Sequence, residues 1–304
     1  MIAIVVDRPR YGLLEHAAAL RHYLIGAGYE ATVYADESLT PEPEDQVRPF
    51  RWHALFAPRI KTVVIWSVGL SYGLIPLLRL MGKRVIVVIH EPGGYAQRIA
   101  RGDPEDYARK TTRYESLTRL ASVRGTPRED KATGGLVCLP LLLQERRPSM
   151  PDKPKTSLVL MGRRDPRRNR RLFLDMRNAK AGGLTYREFP NPRAFTTTDK
   201  DRVLSHAIAV LNLYKVPHNQ SGVTVDCIRY GVPVIVSDLD AWADRIAREG
   251  LGVVIPVDEI SEGSILTAVD HLRQPDPDRD ARMRRAFAAE FGQEAFDRHW
   301  RPLF

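Results

Sequence analysis

Cysteine is almost missing from this sequence: 304 residues contain two, Cys138 and Cys227, far apart and in no Cys-x-x-Cys pair. That count excludes a disulfide framework and a zinc ribbon, and it points to a reducing compartment. Long apolar runs are missing too. The most apolar stretch, residues 63–80, is broken by Ser67, Gly69, Ser71, Gly73, Pro76 and Arg79, too often for a membrane span. The first strand pattern opens at Ile2 without the basic flank or cleavage region of a signal peptide, so a cytoplasmic location is expected. Neither a Walker A loop nor Gly-x-Gly-x-x-Gly is present, and His90-Glu91 lacks the second histidine of a zinc His-Glu-x-x-His site. Asp238-Leu239-Asp240 has the acidic spacing that can bind a divalent cation, but it stands between an apolar run and a helical pattern. A helix cap accounts for it there, and no metal is expected.

What remains is ordinary globular material, 43% hydrophobic and 27% charged. The length exceeds the usual size of one hydrophobic core, so two domains are expected. Lys and Arg number 46 against 37 Asp and Glu, a net charge of +9. Such an excess favours polyanions, anionic lipid surfaces or phosphorylated small molecules. Residues 2–6, 30–35, 61–66 and 84–90 read as strands, with helical periodicity over 13–27, 74–81 and from 104 to about 121. After a charged stretch carrying Pro148, Pro151 and Pro154 the alternation restarts, with strands expected at 156–161, 184–189, 208–213, 234–237 and 252–256. Strands alternating with helices predict parallel sheets covered on both faces. The prolines place the division between a first domain, 1–150, and a second, 151–281. In residues 282–304, Met283, Phe287 and Phe291 recur at four-residue spacing before Phe296 and Trp300. That spacing predicts an amphipathic closing helix, with Gly292 as its natural break, returning to the first domain.

The segment His-Asn-Gln-Ser-Gly-Val-Thr-Val-Asp, residues 218–226, runs from a polar loop into a helix that Gly231 ends. Ligands of open parallel sheets collect where such loops follow the carboxyl ends of strands. Ser221 is placed to cap this helix, leaving the amides of Gly222 and Val223 directed outward with the positive end of the helix dipole. A phosphate suits that position. Asp226 lies about 6 Å further along the helix axis, within reach of hydroxyl groups attached to such a phosphate. A capped helix with a solvated Asp explains the same residues equally well. The second clue is Met-Gly-Arg-Arg-Asp-Pro-Arg-Arg-Asn-Arg-Arg, residues 161–171, where a strand ends in Gly162 and six arginines follow. Guanidinium groups bind phosphate oxygens bidentately. Most of the six read as a solvated surface; Arg163, next to the strand end, is the one expected to turn inward.

Together these segments resemble the GT-B glycosyltransferases, specifically the large retaining group called family 4. Gly162-Arg163 matches that group's Gly-Arg, Arg168 stands at its lysine, and Gly231-Val232-Pro233-Val234-Ile235 matches its Gly-x-Pro-Val ending. The resemblance implies two Rossmann-like parallel-sheet domains facing a cleft, with a nucleotide-sugar donor of UDP or GDP type as substrate and no separate cofactor. Gly162, Arg163, Arg168, Ser221, Gly222 and Val223 would then hold the diphosphate and Asp226 the ribose. Asp226 replaces the second of the family's two glutamates, and His218 the first, which contacts the transferred sugar. That last departure leaves the sugar and the stereochemical outcome open, with retention the family expectation.

In the first half, the strand over 84–90 ends in His90-Glu91-Pro92-Gly93-Gly94. The resemblance places His90 near the donor sugar, and Glu91 is the candidate base for an inverting reaction. Gly12 belongs to the segment 7–16, used in related enzymes near the diphosphate or acceptor, although Glu15 and His16 read as a solvated helix face. The acceptor is expected to be a sugar or lipid-linked sugar at the inner face of a membrane. Arg8, Arg10, Arg79, Lys83 and Arg84 are the cations that docking to an anionic leaflet would use. The alternatives are a sugar-nucleotide epimerase or hydrolase on the same scaffold and, in another class, a basic nucleic-acid- or membrane-binding protein. Nucleic acid is not expected as a partner, because the arginines are concentrated at one strand end rather than spread along a face.

Overall fold

The structure, a computed structural model, describes residues 1–7, 11–38, 47–66, 70–89, 94–100, 104–127, 132, 134–146, 155–162, 164–190, 197–216 and 221–304. Two compact units divide the chain: Met1–Gln144 with Ala289–Phe304, and Glu145–Ala288.

The first unit holds β1 (Ile2–Val6), α1 (Tyr11–Gly26), β2 (Ala31–Ala35), β3 (Val47–Pro49), β4 (Thr62–Ile65) and α2 (Ile75–Leu80). It continues with β5 (Arg84–Val88), α3 (Tyr95–Ala100), α4 (Glu105–Leu117), β6 (Val123–Thr126) and β7 (Val137–Cys138). Its strands pair in parallel in the order β3-β2-β1-β4-β5-β6-β7. Side chains alternate between faces along a strand, so Ile4, Val6, Val64, Trp66 and Ile86 enter one core while Val5, Val63, Ile65, Val85 and Val87 enter the other. Both faces being buried explains why these strands read as continuous apolar runs.

Gly292, at φ −99° and ψ −153°, breaks the closing helix. The segment after it brings Phe296 and Trp300, each 0% exposed, into the core of the first unit. Trp300 stacks on Trp66 with 5.4 Å between ring centroids and donates from Nε1 to the Pro140 carbonyl at 2.9 Å. Burying an aromatic ring of this size contributes about 2 kcal/mol. On the same face, α1 starts at Tyr11, so Gly12 lies in its first turn rather than in a loop running to His16. His16 approaches the Leu142 carbonyl with Nδ1 at 2.7 Å and stacks on Trp66 at 6.1 Å. That corrects its reading as part of a solvated face: the histidine is a packing residue.

The second unit holds β8 (Ser157–Gly162), α5 (Arg170–Asn178), β9 (Thr185–Pro190), α6 (Thr197–Leu204), β10 (Ala207–Asn212) and α7 (Gly222–Tyr230). Then follow β11 (Val234–Ser237), α8 (Ala243–Glu249), β12 (Gly252–Ile255), α9 (Glu262–Arg273) and α10 (Arg279–Phe291). Its parallel sheet has the order β12-β11-β10-β8-β9. From β8 the chain builds one way to β9 and the other way to β10, so the topological switch point, where ligands of such sheets bind, lies between β8 and β10. At the far end of α7, Gly231 takes a left-handed φ of +68°, and the Val232 amide reaches back to the Cys227 carbonyl at 2.9 Å. That ending, which only glycine adopts without strain, aims the chain into β11.

Candidate functional site

The carboxyl ends of β8 and β10 are Gly162 and Asn212. Gly162 has φ +103°, and a Cβ there would lie 3.0 Å from Val223 Cγ2 and 3.1 Å from Arg168 Nη1. Glycine is required twice over, by conformation and by crowding. The same contacts join two separate stretches of sequence: the end of β8 with its arginine-rich loop, and the first turn of α7.

Arg168 is 6% exposed and its charge is turned inward. Nη1 donates to the Met161 carbonyl at 2.7 Å and Nη2 to the Leu211 carbonyl at 3.0 Å, so the guanidinium ties the ends of β8 and β10 together. Its Nε is buried with no hydrogen-bond partner, and the group lies 5.7 Å from the Tyr214 ring. Burial lowers its pKa, opposed by Tyr214, Asp165 and other nearby groups. Beside it is a shallow depression lined by Leu160, Gly162, Arg164, Asp165, Arg168, Arg170 and Glu188. The other loop arginines differ among themselves. Arg167 pairs with Asp165 at 2.6 Å and Arg170 with Glu188 at 2.6 Å, while Arg171 sits 4.0 Å from Asp175 on the surface. Arg163, the residue expected to turn inward, lies outside the described residues.

At the start of α7, Ser221 has the extended backbone of a cap residue, φ −82° and ψ 121°, but its side chain makes no capping bond. The expected cap is therefore absent. Its hydroxyl accepts instead from Asn212 Nδ2 at 2.9 Å and also bonds the Tyr214 hydroxyl. Asn212, 0% exposed, also places Nδ2 2.9 Å from Thr224 Oγ1 and 3.1 Å from Asp240 Oδ2, so that its two hydrogens are shared among three acceptors, and Thr224 donates to the same Asp240 oxygen at 3.0 Å. The other Asp240 oxygen accepts from the Trp242 amide at 2.9 Å, just before α8. Burial raises the Asp240 pKa from its ordinary value, opposed by these donors and by Arg168. Asp238 Oδ1 accepts from the Val257 amide at 3.0 Å. Both carboxylates of the Asp-Leu-Asp triplet thus hold loops in place.

Gly222 is exposed, and a Cβ on it would meet nothing within 4 Å, so no protein contact demands glycine there. Asp226, one turn on, lies 3.2 Å from Lys200 Nζ of α6 and 3.9 Å from Arg229 Nη1. Lys200 is 7% exposed, so the acid is held by a buried ammonium from the neighbouring helix. His218, His90 and Glu91 lie outside the described residues; His90 and Glu91 directly follow Ile89, which is fully buried beyond the end of β5.

Sequence reasoning missed Asn212, Thr224, Asp240 and Lys200. A signal existed for Asn212, a lone amide ending an apolar strand run, because a buried polar side chain needs partners. Lys200 carried none. At the carboxyl edge of the first unit's sheet it also missed Asp7, whose Oδ2 accepts from the Ser71 amide at 2.8 Å and the Ser71 hydroxyl at 2.6 Å. That carboxylate fastens the loop after β4 to the end of β1.

No family profile matches the chain, and no curated protein does. Solved structures do match. The glycotransferase of kitacinnamycin is 16% identical with a TM-score of 0.61, over 97% of each chain. An alpha-glucosyltransferase in complex with UDP and a 13-mer DNA containing an HMU base is 11% identical with a TM-score of 0.64, over 100% of this chain and 98% of that one. WaaG, a glycosyltransferase involved in lipopolysaccharide biosynthesis, is 14% identical with a TM-score of 0.55, over 95% of each chain. These neighbours are glycosyltransferases of the GT-B type, and the likeness runs through both Rossmann-like units, so the architecture of this chain is theirs.

Proposed function

We propose that the protein transfers a sugar, as a hexosyl- or related glycosyltransferase, from a nucleotide-diphosphate sugar of UDP or GDP type to a hydroxyl acceptor in polysaccharide or glycolipid synthesis. One observation carries the reading: Gly162, Arg168 and Val223 meet at the switch point, where the first turn of α7 has no side-chain cap. Backbone amides left uncapped at a helix start, beside a glycine that lets a ligand approach the chain, suit a diphosphate. Arg163 supplies a bidentate hook for its oxygens, and Arg168 acts from behind by fixing the strand ends. Asp226, held by Lys200, receives the ribose hydroxyls.

Transfer breaks the bond between the anomeric carbon and the diphosphate oxygen and forms one from that carbon to the acceptor oxygen. In the retaining course, the departing diphosphate takes the acceptor's proton. His90 and His218 contact the transferred sugar, and Glu91 is the base only if the reaction inverts. The charge that builds on the leaving group is met by Arg163 and the helix start, which makes a metal ion unnecessary. A sugar or lipid-linked sugar in the cytoplasm is the acceptor.

Calorimetric titration with UDP, GDP, ADP and CMP compounds tests the assignment. Arg163→Ala and Asp226→Ala are each expected to weaken nucleotide binding at least tenfold, and Gly222→Val to weaken it without lowering thermal stability. Arg170→Ala, whose guanidinium serves Glu188, should leave binding unchanged. Equal, negligible effects in all four variants would remove the site; turnover of the donor without any acceptor would replace transfer with hydrolysis or epimerisation.

A further inference from the structure

The first unit carries a patch on the amino-terminal rim of its sheet, opposite the edge where Asp7 and Ile89 lie. Helix α2 is apolar on two sides. Ile75 and Leu78 are buried in the core, whereas Leu77, Leu80 and Met81 are exposed, Leu80 to 85%. Residues spaced three and four apart share one helix face, so these three form a single apolar stripe. It is continued by Leu120, 52% exposed, on the turn that packs against α2. Arg79 spans the junction, donating from Nη1 to Ser122 Oγ at 2.8 Å and to the Lys83 carbonyl at 3.0 Å.

Exposed cations surround the stripe: Arg59, Lys61, Arg79, Arg84 and Arg119. They share one rim because the Arg84 amide bonds the Lys61 carbonyl at 2.9 Å and the chain's amino group reaches the Arg59 carbonyl at 3.3 Å. Among the described residues, none of the five has a carboxylate within ion-pair distance. Glu30, by Ile2, is an acid at the β1–β2 end of this rim. Lys83, expected among the docking cations, is not one of them: it is 5% exposed and its ammonium donates to the Ala57 and Ile60 carbonyls at 3.0 and 2.6 Å. Arg8 and Arg10 lie outside the described residues.

We propose that this rim is a docking surface for an anionic lipid bilayer, with Leu77, Leu80, Met81 and Leu120 entering the headgroup region and the five cations meeting lipid phosphates. An exposed apolar stripe of this kind marks an interaction site, and apolar side chains ringed by Lys and Arg are what an anionic interface binds. A second copy of the chain fits poorly, because a two-fold contact would bring like-charged rims together. Nucleic acid fits poorly as well, since phosphates give leucines nothing to bury against.

The proposal is tested on the full chain by sedimentation with vesicles of phosphatidylcholine alone or mixed with phosphatidylglycerol. Binding to the mixed vesicles only, weakening with salt, is the expected result. Leu80→Glu should lower the partition coefficient at least tenfold with unchanged thermal unfolding, and Arg84→Ser about fivefold, the usual effect of one interfacial cation. No preference for anionic over neutral vesicles, or unaltered partitioning of Leu80→Glu, overturns it. So does a dimer in the ultracentrifuge that Leu80→Glu dissociates, or binding of duplex DNA in preference to vesicles. No donor is present in these experiments, so their outcome is separate from that of the nucleotide titration.

Discussion

Two basic regions look alike as strings of letters and differ in what their charges do. In the arginine-rich loop of the second unit, Arg167 and Arg170 have carboxylates within 2.6 Å and Arg168 has two carbonyls. Along the rim of the first unit, the exposed cations have none among the described residues. A cluster of arginines in a sequence therefore says little about a partner; what is left over after internal pairing decides. Of the loop's described arginines, Arg168 ties the strand ends at the switch point and Arg167 and Arg170 are paired with carboxylates, whereas the rim has its charge to spare.

The strongest way to break that contrast is Arg168→Met. It strands the Met161 and Leu211 carbonyls, and an unsatisfied buried acceptor costs about 1–3 kcal/mol. A loss of about 3 kcal/mol is expected in urea unfolding of the second unit, and a loss below about 0.5 kcal/mol would mean that the inward charge holds nothing. Asp240→Asn is the next test. Burial raises the pKa of this carboxyl in the folded chain, so above the unfolded value, about 3.9, the folded state holds the proton more tightly. Stability must then fall as pH rises through that window. Asp240→Asn should remove this part of the slope in unfolding measured from pH 4 to 7; parallel curves would discard the burial argument. Smallest is Arg171→Ala, whose exposed pair at 4.0 Å should be worth about 0–0.5 kcal/mol and leave nucleotide binding untouched.

The alternation of strands and helices was legible wherever strands are buried on both faces. β1 and β11 were read to the residue, and β2, β4, β5, β8, β9, β10 and β12 within a residue or two. Three strands were not legible. β3 and β7 are short, and β6, Val-Arg-Gly-Thr, has no apolar run because Gly125 is pressed against Leu139, where a Cβ would collide. At the site, Gly162 and the start of α7 could be read, since glycine and helix boundaries leave local marks. The partners that set Ser221, Arg168 and Asp226 could not, because Asn212, Asp240 and Lys200 reach them through the fold rather than along the chain. Periodicity placed a helix over 74–81, but α2 is apolar on two sides, so it could not show which stripe would be left facing water.

Trp66 waits for Trp300. Residues 145–288 form another unit, so during synthesis the first 144 residues are made, and the whole second unit after them, before the rings that close their core exist. Until then the face of the first sheet that holds Trp66, covered by Trp300, and Tyr23, stacked on Phe296 at 5.7 Å, lacks its cover. The second unit can fold from a continuous stretch of chain, whereas the first must be held open and finished late. That order leaves the core face of the nascent first unit open to water until the last residues of the sequence are made.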